Sequence, residues 1–249
     1  MQKRTIIHKY SVVPLLAIAA MHAAVWLGTK SLADFSRAFD VTLGLDALIP
    51  LRPEWVVIYV GTFVFWGMGL LLIARQDEEL CCRFASGVII ADIICGVIFL
   101  ALPSCIARPE LSADAGGFTW ALSVVYSFDT PTNCFPSMHC LFAYLVFRQS
   151  LRTPDAKTWF KVFCGVCAAL ICLSTLFVKQ HVIADVIGGI FFGELAFALG
   201  QKLPVWKIFI KINKIYRDFI RFLTVSLAYF NTSLSSSIVF TFIHISAFP

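Results

Sequence analysis

Two histidines and an aspartate define the chemistry open to this chain. The stretch STLFVKQHVIAD, residues 174–185, carries His181 and Asp185 four residues apart at the start of an apolar segment. Four residues is about one helical turn, so the two side chains are expected to share a helix face with the carboxylate in reach of the imidazole. A carboxylate on one ring nitrogen leaves the other a good nucleophile or base and stabilises the positive charge that develops on attack. Taken alone, the pair is also what a helix-end histidine beside a polar residue looks like. Two further stretches change that: CFPSMH, residues 134–139, opens a second apolar segment, and Arg108-Pro109 closes a third. His139 is suited to protonate a leaving oxygen. Arg108 offers a planar cation with bidentate reach to phosphate, Lys179 a second positive charge, and Ser137 and Ser174 hydroxyl donors. The set suits phosphoryl transfer through a phosphohistidine. No carboxylate cluster has metal-ligand spacing, so the expected route uses no metal and no cofactor.

Such residues need elements that bring them together, and the composition says what kind. Of 249 residues, 59% are hydrophobic and only 14% charged, and the mean hydropathy is +0.83. Soluble domains do not have this balance. The apolar residues gather into runs of roughly 20, long enough as helices to cross a bilayer core. Spans are expected at about 12–27, 55–74, 87–107, 137–147, 160–178 and 182–199, the fourth short and starting a turn earlier. The first reads as an uncleaved anchor rather than a signal peptide, because its apolar run continues through Val25 and Trp26. Residues 75–83 (RQDEELCCR) form a charged turn, and residues 120–128 an apolar stretch suited to the membrane interface. Asp92, near the start of the third span, is costly there unless paired or facing water. Gly188, Gly189, Gly193 and Gly200 give the sixth span small faces for close packing.

The net charge of +5 follows topology rather than a nucleic-acid partner. With six spans and both termini in the cytoplasm, fifteen of the 20 Lys and Arg fall inside, among them Lys3, Arg4, Arg75 and Arg148, and five (Lys30, Arg37, Arg52, Arg108, Lys179) outside. The arrangement expected is an integral protein of a plasma (bacterial inner) membrane, its three chemical stretches converging on the extracytoplasmic face. Asp114 falls in the loop on that face. Cys164 and Cys167 spell CxxC inside a span with no second ligand pair, which reads as buried packing rather than zinc or redox chemistry. In the tail, Lys207, Lys211, Lys214, Asp218 and Arg221 recur at helical spacing with Ile208, Ile212, Ile215 and Phe219 on another side, an amphipathic helix for the cytoplasmic leaflet. Residues 222–249 are apolar and serine-interrupted, and their fate is open. The division expected is a catalytic membrane region over 1–201 and a basic helix with apolar tail over 202–249.

PSMH and STLFVKQHVIAD resemble the second and third signatures of the type 2 phosphatidic acid phosphatase (PAP2) superfamily, and Ala107-Arg108-Pro109 resembles the end of the first. The resemblance implies an all-α, six-transmembrane-helix bundle whose family core covers about 87–201. It also implies roles: His181 attacks phosphorus, Asp185 orients it, and His139 serves the leaving group as acid and then the acceptor as base. Arg108, Ser137 and Ser174 would hold phosphate oxygens. Two positions depart from the pattern. Ala101 stands where the first signature has lysine, and Thr175 where the third has arginine. Lys179 is the candidate replacement for the missing cations. Met138, between serine and histidine, is closer to the inositol phosphorylceramide synthase-like branch. The leading expectation is a metal-independent lipid phosphatase. Its alternatives are a lipid phosphotransferase passing the phosphoryl group to an alcohol and a non-catalytic membrane protein that keeps the fold.

Overall fold

The structure is a computed structural model that describes residues 8–112 and 116–245, and for residues 227–245 the backbone alone. Lys3, Arg4 and Asp114 lie outside the described residues. Among the described residues, eight α-helices make up almost all of the fold: α1 (Val12–Leu32), α2 (Val56–Ala74), α3 (Glu78–Ala101), α4 (Gly117–Phe128), α5 (Met138–Arg152), α6 (Thr158–Phe177), α7 (Ile183–Lys202) and α8 (Trp206–Ile245). Two residues each of β1 (Phe39–Asp40) and β2 (Ser104–Cys105) pair in parallel and tie the loop after α1 to the loop after α3.

Five of the described helical segments, those containing α1, α2, α3, α6 and α7, are long and apolar enough to cross a membrane. The chain is an all-α integral membrane protein. The remaining span, α5, has only 15 residues, about 22 Å at 1.5 Å per residue. It is enclosed by α2, α6 and α7, with Cys140, Leu141, Ala143 and Leu145 buried. It begins at Met138 and not, as expected, a turn before Ser137, because Pro136 precedes it and the Ser137 hydroxyl accepts from Cys140 N as its N-cap. Side chains such as Val57, Val64, Val97, Val162 and Ile187 stay exposed on the outer faces, as expected where hydrocarbon is the solvent.

The third helix differs most from the expected boundaries. It starts at Glu78, inside the charged stretch, because the Asp77 side chain caps Leu80 N and Glu78 and Glu79 suit the positive end of the helix. It ends at Ala101, since Pro103 disfavours helical backbone at Leu102. Arg108 therefore sits on a loop, six residues past the helix cap. At the other boundary of the core, α7 lies close against α5 and α3. A Cβ on Gly189 would stand 2.6 Å from the Ser137 carbonyl, and one on Gly200 2.5 Å from Gly87 Cα.

The start of α8 is docked, not merely laid on a leaflet. Phe209 and Asn213 are buried, and Asn213 and Arg217 both donate to Glu78 at the start of α3. Ile208, Ile212, Ile215 and Phe219 form the exposed side. The helix then continues without a break to Ile245.

Candidate active site

Alternating helix direction carries the ends of α1, α3 and α6 and the starts of α2, α5 and α7 to one end of the bundle. There the connecting loops meet. The segment after α6 turns on Lys179, whose φ is +53°, while Gln180 N and His181 N both donate to the Thr175 carbonyl. This tight closure places His181 ahead of α7 rather than on it. Asp185, in the first turn of α7, reaches back. Its Oδ2 accepts from Val182 N at 3.0 Å and lies 3.2 Å from His181 Nδ1. The pair expected to share a helix face is thus made across a helix N-terminus, where the unpaired N–H groups favour a carboxylate. A second carboxylate, Asp46, closes the same terminus from outside by accepting from Ile183 N at 2.8 Å.

Asp185 is fully buried and His181 is 9% exposed. Burial alone opposes protonation of His181, but the hydrogen bond and charge of Asp185 outweigh it and raise its pKa above the ordinary value. With Nδ1 held by Asp185, Nε2 is the ring nitrogen left for chemistry. The His139 ring centroid is 5.8 Å from that of His181. His139 is wedged between Tyr59 at 4.5 Å and Trp66 at 5.6 Å, and its Nε2 is buried without a partner among the described residues.

Arg108 joins these residues from its loop. It donates to the Asp129 backbone carbonyl and to Gln180 Oε1, and its guanidinium lies 4.7 Å over the Tyr126 ring. Burial draws its pKa below the usual arginine value while the charge of Asp129 opposes that shift, and an arginine so placed stays cationic at neutral pH. Arg108 Nε and Gln180 Nε2 are buried donors without partners among the described residues. Arg108, Gln180 and the two histidines line one cavity of about 740 Å³ between α1, α2, α3 and α5, roofed by α4 and apolar over most of its wall. Buried donors that protein does not satisfy suit an anionic or strongly accepting ligand group.

Three expected phosphate ligands have their polar groups engaged within the fold. Lys179 turns away from the cavity and donates to the backbone carbonyls of Asp46 and Ile49, at 3.1 and 2.5 Å. The reason is the left-handed backbone at Lys179, which sends the side chain outward while Gln180 takes the inward position. Ser174 is buried within α6 and donates to Ile171 O of its own helix at 2.7 Å. Ser137 is beside the site, but its hydroxyl caps α5 and its N–H donates to the Asp185 carbonyl. Gln180 drew no expectation from the sequence. Asp129 accepts from the Tyr59 hydroxyl at 2.9 Å, and Asn133 donates to Thr29 at 3.2 Å with its Oδ1 unpartnered among the described residues. The available signal was position: Gln180 lies between Lys179 and His181, inside the third signature.

The family model described as PAP2 superfamily matches residues 80–208, just over half of the chain and the whole of α5 to α7. The chain belongs to the PAP2 superfamily. None of the curated proteins and none of the solved structures compared with it matches. PAP2 membership points to a phosphatase- or phosphotransferase-type enzyme of lipid phosphates, and the candidate spans put that site in an integral membrane protein.

Proposed function

We propose that this PAP2 protein is a metal-independent lipid phosphatase that works through a phosphohistidine on His181. The observation that carries the reading is the contact of buried Asp185 with His181 Nδ1 at 3.2 Å, with His139 facing the same ring at 5.8 Å. His181 Nε2 attacks phosphorus, the P–O bond to the lipid breaks, and His139 gives its proton to the departing oxygen. His139 then takes a proton from water, whose oxygen attacks phosphorus. The N–P bond breaks, releasing inorganic phosphate and neutral His181.

Arg108 and Gln180 meet the phosphoryl oxygens, on which negative charge spreads in the transition state. Gln180 takes the inward place that Lys179 leaves. The apolar cavity accommodates the lipid, and the active site faces the extracytoplasmic side with both termini in the cytoplasm. An alcohol in place of water as the acceptor, which PAP2 membership equally allows, is the second reading.

The test is purified protein in detergent with EDTA, given lipid carrying radiolabelled phosphate, with and without an added alcohol. Release of inorganic phosphate by the wild type and its loss in His181→Ala are expected. Label passing to the alcohol supports the transferase, and full activity in His181→Ala overturns both readings.

A further inference from the structure

A second histidine–carboxylate pair lies in the wall of the same cavity, between α1 and α3 and away from the phosphate end. Asp92 has no exposed surface in an apolar 24-residue helix. Its Oδ1 is 3.0 Å from His22 Nδ1, while Oδ2 has no partner among the described residues. The His22 side chain is one-third exposed, 33%, and it lines the cavity. Its ring stands edge-on to Trp66 at 5.9 Å and Phe142 at 4.9 Å. Trp66 also packs on His139 at 5.6 Å, so one indole separates the two histidines. That indole Nε1 is itself a buried donor without a partner among the described residues. The rest of the cavity wall includes Ile18, Leu70, Phe84, Val88 and Phe99.

Charge decides what His22 offers to the cavity. A pair buried among apolar side chains is far cheaper as a net-neutral unit than with one uncompensated charge. Two net-neutral forms exist, carboxylate with imidazolium and carboxylic acid with imidazole. In both, the proton between the partners lies on the Nδ1–Oδ1 line and the other ring nitrogen carries hydrogen. His22 Nε2 is therefore a donor in either form. The group that suits it is an acceptor.

Position narrows the acceptor further. His22 lies seven residues before Thr29 on α1, about 10 Å down the helix, and Thr29 is level with the polar end through its bond from Asn133. A lipid phosphate seated at His181 and Arg108 sends its chains past this level. In acyl lipids the first strong acceptors below the headgroup are the ester or amide carbonyls, whereas ether lipids have only weakly accepting ether oxygens there and polyprenyl chains none. We propose that His22 and Asp92 form a subsite in which His22 Nε2–H donates to a carbonyl oxygen of an acylated lipid phosphate, selecting acyl lipids over ether-linked and prenyl ones. The subsite rests on the proposed lipid-phosphate site at His181.

The test compares diacyl phosphatidate with its dialkyl ether analogue of equal chain length, on the full chain in detergent. Turnover is read as kcat/KM, and binding as the change in tryptophan fluorescence of the His181→Ala chain. The wild type is expected to prefer the diacyl lipid about tenfold, the worth of one buried hydrogen bond. The double variant His22→Phe/Asp92→Leu, which leaves no carboxylate unpaired, is expected to bring that ratio near one. Equal treatment of the two lipids in both readouts, turnover by the wild type and binding by the His181→Ala chain, overturns the subsite without recourse to the double variant. So does a ratio that survives in the double variant. Tenfold tighter diacyl binding without any turnover supports the subsite and counts against the phosphatase reading.

Discussion

Arg108 donates to the side-chain carbonyl of Gln180, the residue directly before His181. The cation proposed to meet phosphate is thus oriented from within the segment that carries the nucleophile. Gln180 is 1% exposed, so the contact is shielded from water. In Gln180→Leu, Arg108 loses this acceptor and the phosphoryl group a donor. A hydrogen bond to a charged group contributes about 1.5–3 kcal/mol, so kcat/KM is expected to fall about 10- to 100-fold. Steady-state kinetics with a parallel melting curve checks this. An unchanged kcat/KM at unchanged Tm would remove Gln180 from the site.

Lys179 has the opposite expectation. Its Nζ holds two carbonyls of the 44–49 segment, whose Asp46 in turn closes α7. Lys179→Ala is expected to lower stability by about 1 kcal/mol and to leave kcat/KM within about threefold. A fall of a hundredfold with an intact melting curve would return Lys179 to the phosphate cradle.

Asp185→Asn tests the support of the nucleophile through pH. Attack requires neutral His181, whose pKa Asp185 raises above 6.5 against the effect of burial. The acid limb of the wild-type kcat/KM profile is therefore expected above pH 6.5. In Asp185→Asn it moves to lower pH, and the plateau falls about 10²–10⁴-fold. Stability carries the matching sign. A folded-state pKa above the unfolded value of about 6.5 stabilises the fold fully below that pH, and the contribution fades as pH rises through the folded value. An acid limb at the same pH in both proteins would show that Asp185 does not set the His181 titration.

How far these relationships were legible follows from the kind of constraint behind each. Apolar runs near 20 residues and the loop charges fixed the helices and brought Arg108, His139 and His181 to one end, because span length and alternation are properties of the chain alone. The proximity of His181 and Asp185 followed from their spacing, though the contact is made across a cap. Lys179 was misplaced because its direction depends on one left-handed residue and on carbonyls 130 or more positions away. Asp92 stood out as a carboxylate in a span, but its partner His22 is 70 residues distant on another helix. Ser174 could be seen as a hydroxyl near the motif, while which face of α6 it takes is a matter of packing.

The α5–α7 contact gives a prediction that links packing to the site. Gly189 lies against the Ser137 carbonyl, where a Cβ would stand 2.6 Å away, and Ser137 is the residue that starts the His139 helix. Gly189→Ala is expected to cost about 1–3 kcal/mol and to reduce turnover by shifting His139 relative to His181. Gly28→Ala on α1, where a Cβ meets nothing within 4 Å, is the control, with stability unchanged or slightly raised. Equal melting temperatures for the two variants would mean that α5 and α7 are not in close contact at Gly189.

The proposed orientation is open to a chemical test at two exposed positions at opposite ends of the bundle. Ser112 lies on the loop that carries Arg108, and Asp155 lies between α5 and α6. Most of the nine native cysteines are buried, and Cys105, Cys167 and Cys172 are part-buried, so a new surface thiol has a low background. The excess of Lys and Arg on the Asp155 end supports the proposed placement of that end in the cytoplasm under the positive-inside tendency. Ser112→Cys is therefore expected to react with a membrane-impermeant maleimide in intact cells, and Asp155→Cys only after permeabilisation. The reverse pattern would place the His181 site on the cytoplasmic face, where lipid phosphates of the inner leaflet would be its substrates.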